Sequence, residues 1–147
     1  MLGEGKSYQV NGVSFSTPLK HIHAAETYGM RFKANGFTLS YIADSLFFDG
    51  LIGAYAGSDL LIINVVFPDS NHGISHLAAP DAARLIAEIK PRAAILTHFG
   101  MPMWKANPAT IAAAISRETG VPVLAARDDM VFPLARLTPG AYEAALD

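Results

Sequence analysis

The segment YGMRFKANGFTLSYIAD, Tyr28 to Asp44, joins two alternating runs at Asn35-Gly36, and no other stretch restricts the fold of the chain so tightly. Asn-Gly tolerates the two left-handed conformations of a type I′ turn, so it predicts a two-residue hairpin. Such a turn fixes the register: Ala34 faces Phe37, Phe32 faces Leu39, and Met30 faces Tyr41. These residues form one apolar face, while Arg31, Lys33, Thr38 and Ser40 take the other, which is the alternation of a half-buried sheet. Continuing the same pairing sets Asp44 opposite Thr27. The hairpin thereby returns a carboxylate to the loop HIHAAETYG, which carries His21 and His23.

Beyond Asp44, DSLFFDGLIGAY predicts a helix interrupted by Gly50 and Gly53, and LLIINVVF predicts a strand buried on both faces. Pro80 opens a helix whose Ala82, Leu85, Ile86 and Ile89 share one side, and Pro91 ends it. AAILTH is a second buried strand. Asn107-Pro108 supplies an N-cap and first-turn proline for a helix through Glu118, closed by Gly120. VPVLAAR and MVFPLA read as two last strands before a short segment beginning at Thr138-Pro139. Strands alternating with helices imply an α/β layer, a mixed sheet that is parallel in its second half, with the antiparallel hairpin at the front. Its core should contain Leu60, Ile62, Val65, Ile95 and Leu96, with Leu85, Ile86, Ile111 and Ile115 packed onto them. No repeat or linker interrupts residues 1–147, so the chain is read as one domain.

With 51% apolar residues the chain is rich enough to bury a core, and its formal charge of −2 comes without blocks. A nucleic-acid-binding arm and a membrane-surface helix are therefore poor readings. There is no cysteine, which excludes disulfides, thiolate metal sites and cysteine nucleophiles and leaves His, Asp and Glu for any metal. MLGEGKSYQV has no apolar signal-peptide core, and LLIINVVF is too short to span a bilayer. The expectation is a soluble, cytoplasmic protein without a membrane partner.

The notable polar residues follow predicted strands: Asp44, the loop from Asp69 to His76, His98, and Asp128. In open α/β sheets ligands bind in the crevice beyond the carboxyl ends of the strands. Singly, each residue has an ordinary explanation: His98 as a strand-end histidine, Asp44 as a helix N-cap, His76 bonded to nearby backbone, and His72 as a solvated loop residue. In a strand, His21 and His23 point to opposite faces, so at most one of them is a close ligand. Together, His, Asp and His at three strand ends make a nitrogen-plus-carboxylate donor set suited to zinc, manganese or iron.

HAAETYGMRF, YIADS, SHLAAPDAARLI and AAILTHFGM, in this order and spacing, resemble the carboxy-terminal half of a metallo-β-lactamase-fold metal-dependent hydrolase. The resemblance implies half of an αββα sandwich with helices on one face of its sheet. It also implies two zinc ions per complete site, with manganese or iron as alternatives. Residue by residue, His23 resembles a metal ligand, with His21 beside it as the other candidate. Asp44 resembles the carboxylate that bridges two metals, and His98 the last ligand. His76 resembles a catalytic histidine that assists the leaving group in some nucleases and phosphodiesterases of the fold. Asp128 stands where relatives show Asp-Gly, and Asp129 departs from that pattern.

The family's His-x-His-x-Asp-His motif is absent, since His21-x-His23 is followed by Ala25 and Glu26. MLGEGKSYQV resembles a strand from just inside the second half, so the expectation is a half-protein that pairs with an amino-terminal half or self-associates. In a complete relative the implied reaction is metal-assisted hydrolysis of an ester, phosphoester, lactone, thioester or amide, with nucleic acid an unlikely substrate. The alternative is a non-catalytic interaction or structural fragment whose histidines are relics. A phospho-receiver domain would need an acidic pair for magnesium after the first strand, and SYQVNGVSFST offers none.

Overall fold

The computed structural model describes residues 1–70 and 73–138. One seven-stranded sheet runs in chain order: β1 (Lys6–Val10), β2 (Val13–Thr17), β3 (Met30–Ala34), β4 (Phe37–Ile42), β5 (Leu60–Asn64), β6 (Ala93–Thr97) and β7 (Val123–Ala125). Pairing is antiparallel from β1 to β4 and parallel from β4 to β7. Helices α1 (Gly50–Tyr55), α2 (Ala79–Ile89), α3 (Met101–Lys105) and α4 (Pro108–Thr119) fill the connections, and a short 3-10 helix spans Leu134–Leu137.

The Asn35-Gly36 turn has φ of 52° and 82°, and its strands pair Met30 with Tyr41, Phe32 with Leu39 and Ala34 with Phe37, as the turn chemistry requires. A second Asn-Gly turn, at Asn11 and Gly12 with φ of 50° and 82°, follows the strand expected within MLGEGKSYQV and pairs it with a further strand in a β1–β2 hairpin. The expected strand over MVFPLA does not form. Pro133 has no N–H to donate to a ladder, and the chain instead passes into the 3-10 helix, burying Leu137 against Leu60, Ala93 and Ile95. The Gly50–Tyr55 helix is also shorter than the segment that predicts it.

Alternation along the parallel strands divides the core into two. Leu61, Ile63, Ala94 and Leu96 face the helices, where they meet Leu51, Leu85, Ile86 and Ile115. Leu60, Ala93 and Ile95 face the other way, towards Leu137. The expected core residues Leu60, Val65, Ile95 and Leu96 are buried, whereas Ile62 and Ile111 are half-buried. Each fully buried aliphatic side chain contributes ~1.5–3 kcal/mol, so these contacts hold the carboxyl ends of β4, β5 and β6 side by side. Helix α2 begins with the Asp81 carboxylate accepting from Ala78 N–H at 2.9 Å; α4 begins with Asn107 Oδ1 accepting from Thr110 N–H at 3.3 Å and ends at Gly120, φ 71°. Towards the β1 edge the cover thins. Tyr8, Phe15 and Phe32 stack in a half-buried row across β1, β2 and β3, with ring centroids 5.2 and 5.7 Å apart.

Candidate metal centre

The loop between β2 and β3 separates its two histidines. His21 N–H donates to Thr27 O at 2.9 Å, and Lys20 bridges to Tyr28, so the loop closes on itself. The pairing of β3 with β4 therefore stops short of Thr27 and Asp44. The two segments meet by another route: Ile22 N–H donates to Ser45 Oγ at 3.2 Å, and Leu46 N–H to Ile22 O at 2.8 Å. His21 turns inward, 3% exposed, with Nε2 2.7 Å from the hydroxyl of buried Tyr55. His23 turns to the crevice. Its Nδ1 lies 3.3 Å from both Ala25 N–H and Thr27 Oγ1.

At the crevice, His23, Asp44 and His76 are all half-buried, and each offers a donor atom within 4.8 Å of the others. Asp44 Oδ1 is the hub. His76 Nδ1 lies 3.5 Å from it and His98 Nε2 3.4 Å, while Asn64 Nδ2 donates to it at 2.8 Å. The His76 ring lies 5.1 Å from that of His23 and 6.2 Å from that of His98. His98 leaves β6 at φ 60°, an uncommon backbone conformation for a residue with a Cβ, and its side chain is 52% exposed. The sequence expectation placed His23, Asp44 and His98 together as ligands and gave His76 the separate role of assisting the leaving group. The structure draws His76 into the inner group and leaves His98 on the solvent side of the same carboxylate. This follows from the chain path, because the Phe67–Ala78 bridge holds the end of the loop before α2 against the segment just beyond β5.

The donor set fits a metal. His76 Nδ1 is buried and hydrogen-bonded to nothing, an expensive condition for a polar atom unless a further partner is present. Nitrogen and carboxylate donors of this kind suit zinc, and imidazole also suits iron. His72 lies outside the described residues, and Asp128 is exposed in the turn after β7. Burial pushes the His21 pKa below its ordinary value, against the opposing pull of the Asp44 and Ala43 backbone groups and the Asp44 charge. Burial likewise raises the Tyr55 phenol. Both groups are thereby kept neutral behind the crevice. Asn64 is the site residue that strand periodicity conceals; its signal is a lone amide inside an otherwise apolar run.

A mixed sheet with helices on one face, and histidines converging on a carboxylate at its edge, defines the metallo-β-lactamase class of α/β protein. Residues 2–99 match the family described as the Beta-lactamase superfamily domain, and the chain belongs to that family. Among solved structures, the metallo-beta-lactamase fold protein YhfI from Bacillus subtilis is similar at a TM-score of 0.77 and 22% identity, over 89% of this chain and 52% of that one. A diphosphatase from the PhnP family is similar at a TM-score of 0.62 and 19% identity, over 89% and 48%. An uncharacterized protein, MJ1374, of Methanocaldococcus jannaschii is 31% identical over 119 residues, 77% of this chain and 44% of the relative. The chain thus spans about half the length of the relatives it matches. Among the described residues, no helix is long and apolar enough to cross a membrane.

Proposed function

We propose that this chain is the ligand-bearing carboxy-terminal portion of a zinc-dependent hydrolase acting on an ester, phosphoester, lactone or thioester. The observation that carries this reading is the gathering of His23, His76 and His98 around the Asp44 carboxylate, with His76 and His98 both facing Oδ1. Asp44 is the shared carboxylate, with His23 and His98 both near it. Zinc, when bound, supplies Lewis-acid polarisation and lowers the pKa of water towards ~7. Asp44 holds the charge that attracts the cation and orients the flanking imidazoles. His76, with its ring near those of both His23 and His98, is placed to hand a proton to the leaving group, an action generally worth ~10²–10⁴-fold in rate. A second reading makes His76 itself a ligand, favoured by its place within the 4.8 Å group. Likeness to a diphosphatase makes phosphoesters the first class to assay.

This chain supplies few donors, and its sequence contains no His-x-His-x-Asp-His. The half-buried row of Tyr8, Phe15 and Phe32 offers an apolar face for the partner that would carry them. The test is reconstitution. The 147-residue chain alone should retain substoichiometric zinc and hydrolyse no phosphodiester, lactone or thioester probe above a metal-free control. Adding an amino-terminal half of a relative should restore metal and turnover, and Asp44→Ala should abolish both. Turnover by the chain alone would refute the division of the site, and an active Asp44→Ala protein would refute the role of the carboxylate. In the restored protein, His76→Ala with full metal but slow turnover supports the proton-donor role, whereas loss of metal supports ligation.

A further inference from the structure

Asp44 lies two residues beyond the end of β4, and nothing in its own backbone fixes the torsion of its carboxylate. A group that presents one oxygen towards several imidazoles needs an external constraint, because rotation about the last side-chain bond is soft. Asn64 supplies one. It ends β5, a central strand paired in parallel with β4 on one side and β6 on the other. Its register partner Thr97 immediately precedes His98, and Val65 N–H continues the ladder to Thr97 O at 2.8 Å. Asn64 is 4% exposed, so its amide has no room to swing away. Its orientation also has one sense: the amide oxygen turned towards Asp44 would set acceptor against acceptor, so the NH₂ group faces the carboxylate.

We infer that Asn64 is a positioning residue for the metal-binding carboxylate, holding Asp44 Oδ1 in the orientation that His76 and His98 face. The inference rests on the metal-centre reading above and extends it to a residue that touches neither metal nor substrate. Removing such an outer hydrogen-bond partner typically costs ~10–100-fold in metal affinity. Asn64 Oδ1 remains buried and unpaired on the far side of the same amide. Replacement by leucine, of similar size and without polar atoms, therefore removes the donor without leaving a new buried polar group.

The experiment is a Co²⁺ titration of the full chain and its Asn64→Leu variant, followed by visible absorption, with thermal unfolding of both metal-free proteins. Unaltered protein, though it binds weakly on its own, should take up Co²⁺ at excess metal with a defined d–d spectrum. Asn64→Leu should unfold at a similar temperature yet bind ~10–100-fold more weakly, with a changed band shape reporting altered coordination. Equal affinity and an identical spectrum would overturn the inference. Failure of the unaltered chain to take up Co²⁺ overturns the metal-centre reading itself, and this inference with it, and is seen before any variant is compared. Should Asn64→Leu not fold, the side-chain amide of Asn64 in the metal-free chain decides the matter by NMR. One of its protons should be shifted and protected from solvent exchange, and both features should disappear in Asp44→Ala. Resonances indifferent to Asp44→Ala would overturn the inference.

Discussion

Alanine at Gly29 would test how the loop bearing His23 is anchored. Gly29 is buried where the chain enters β3, and a Cβ there would lie 2.6 Å from Tyr41 O and 2.9 Å from His21 Cε1, and would overlap the Tyr55 hydroxyl. The Tyr41 carbonyl belongs to β4 and cannot move without disturbing the ladder. Tyr55 is fully buried, so its ring has no solvent to turn into. Overpacking of this kind costs ~1–3 kcal/mol. Separating Tyr55 from His21 leaves two buried polar groups unpaired, for another ~1–3 kcal/mol. The loss of glycine's freedom in the unfolded chain offsets ~0.4–1 kcal/mol. Net destabilisation should be ~2–4 kcal/mol, read by urea unfolding at neutral pH. Adding Tyr55→Phe removes the overlapping oxygen, so the double variant should be more stable than the sum of the two single losses by ~1 kcal/mol or more, within the range seen for touching residues. A loss below ~0.5 kcal/mol, or strict additivity, would show that Gly29 is not packed beneath the His21–Tyr55 pair.

Two further outcomes are expected. Ile95→Ala should cost ~2–5 kcal/mol in denaturant unfolding, because Ile95 packs between the sheet and Leu137; a change under ~0.5 kcal/mol would make β6 peripheral. Stability should also fall as pH drops through ~6.5: His21 has its pKa lowered in the fold, so below that pH the unfolded chain binds the extra proton, and the slope ends once pH passes the lower folded value. Comparing His21→Gln with the unaltered protein at pH 8 and pH 5 isolates this contribution, and an identical pH dependence in the two would contradict it.

What the sequence discloses follows from how local the determining physics is. Asn35-Gly36 dictates its own turn, and that turn dictates the pairing from Met30 to Tyr41. Asn11-Gly12 obeys the same rule, but the short flanking strands carry a weaker alternation, and only the first of them is readily read from the sequence. Helix α3 has only five residues, too few to show a helical period, and Pro133 quietly removes a strand that the apolar run around it promises. Alternation states that His21 and His23 diverge. Which of them faces the crevice depends on Tyr55, a residue supplied by α1. The entry of His76 into the inner group has a similar cause, since the path of the loop before α2 is set by the Phe67–Ala78 bridge. Asn64 is legible only after Asp44 is known to lie beside it, because within LLIINVVF its amide is outvoted by apolar neighbours.

The central claim is that Asp44 and the histidines around it hold a metal ion. The most direct measurement is anomalous X-ray scattering at the zinc edge from crystals of the chain equilibrated with Zn²⁺. The account predicts a peak within roughly 2.0–2.2 Å of an Asp44 carboxylate oxygen and of a nitrogen of His23, His76 or His98, and its disappearance in Asp44→Ala. Zinc bound only at other residues, or a peak that survives Asp44→Ala in place, would contradict it.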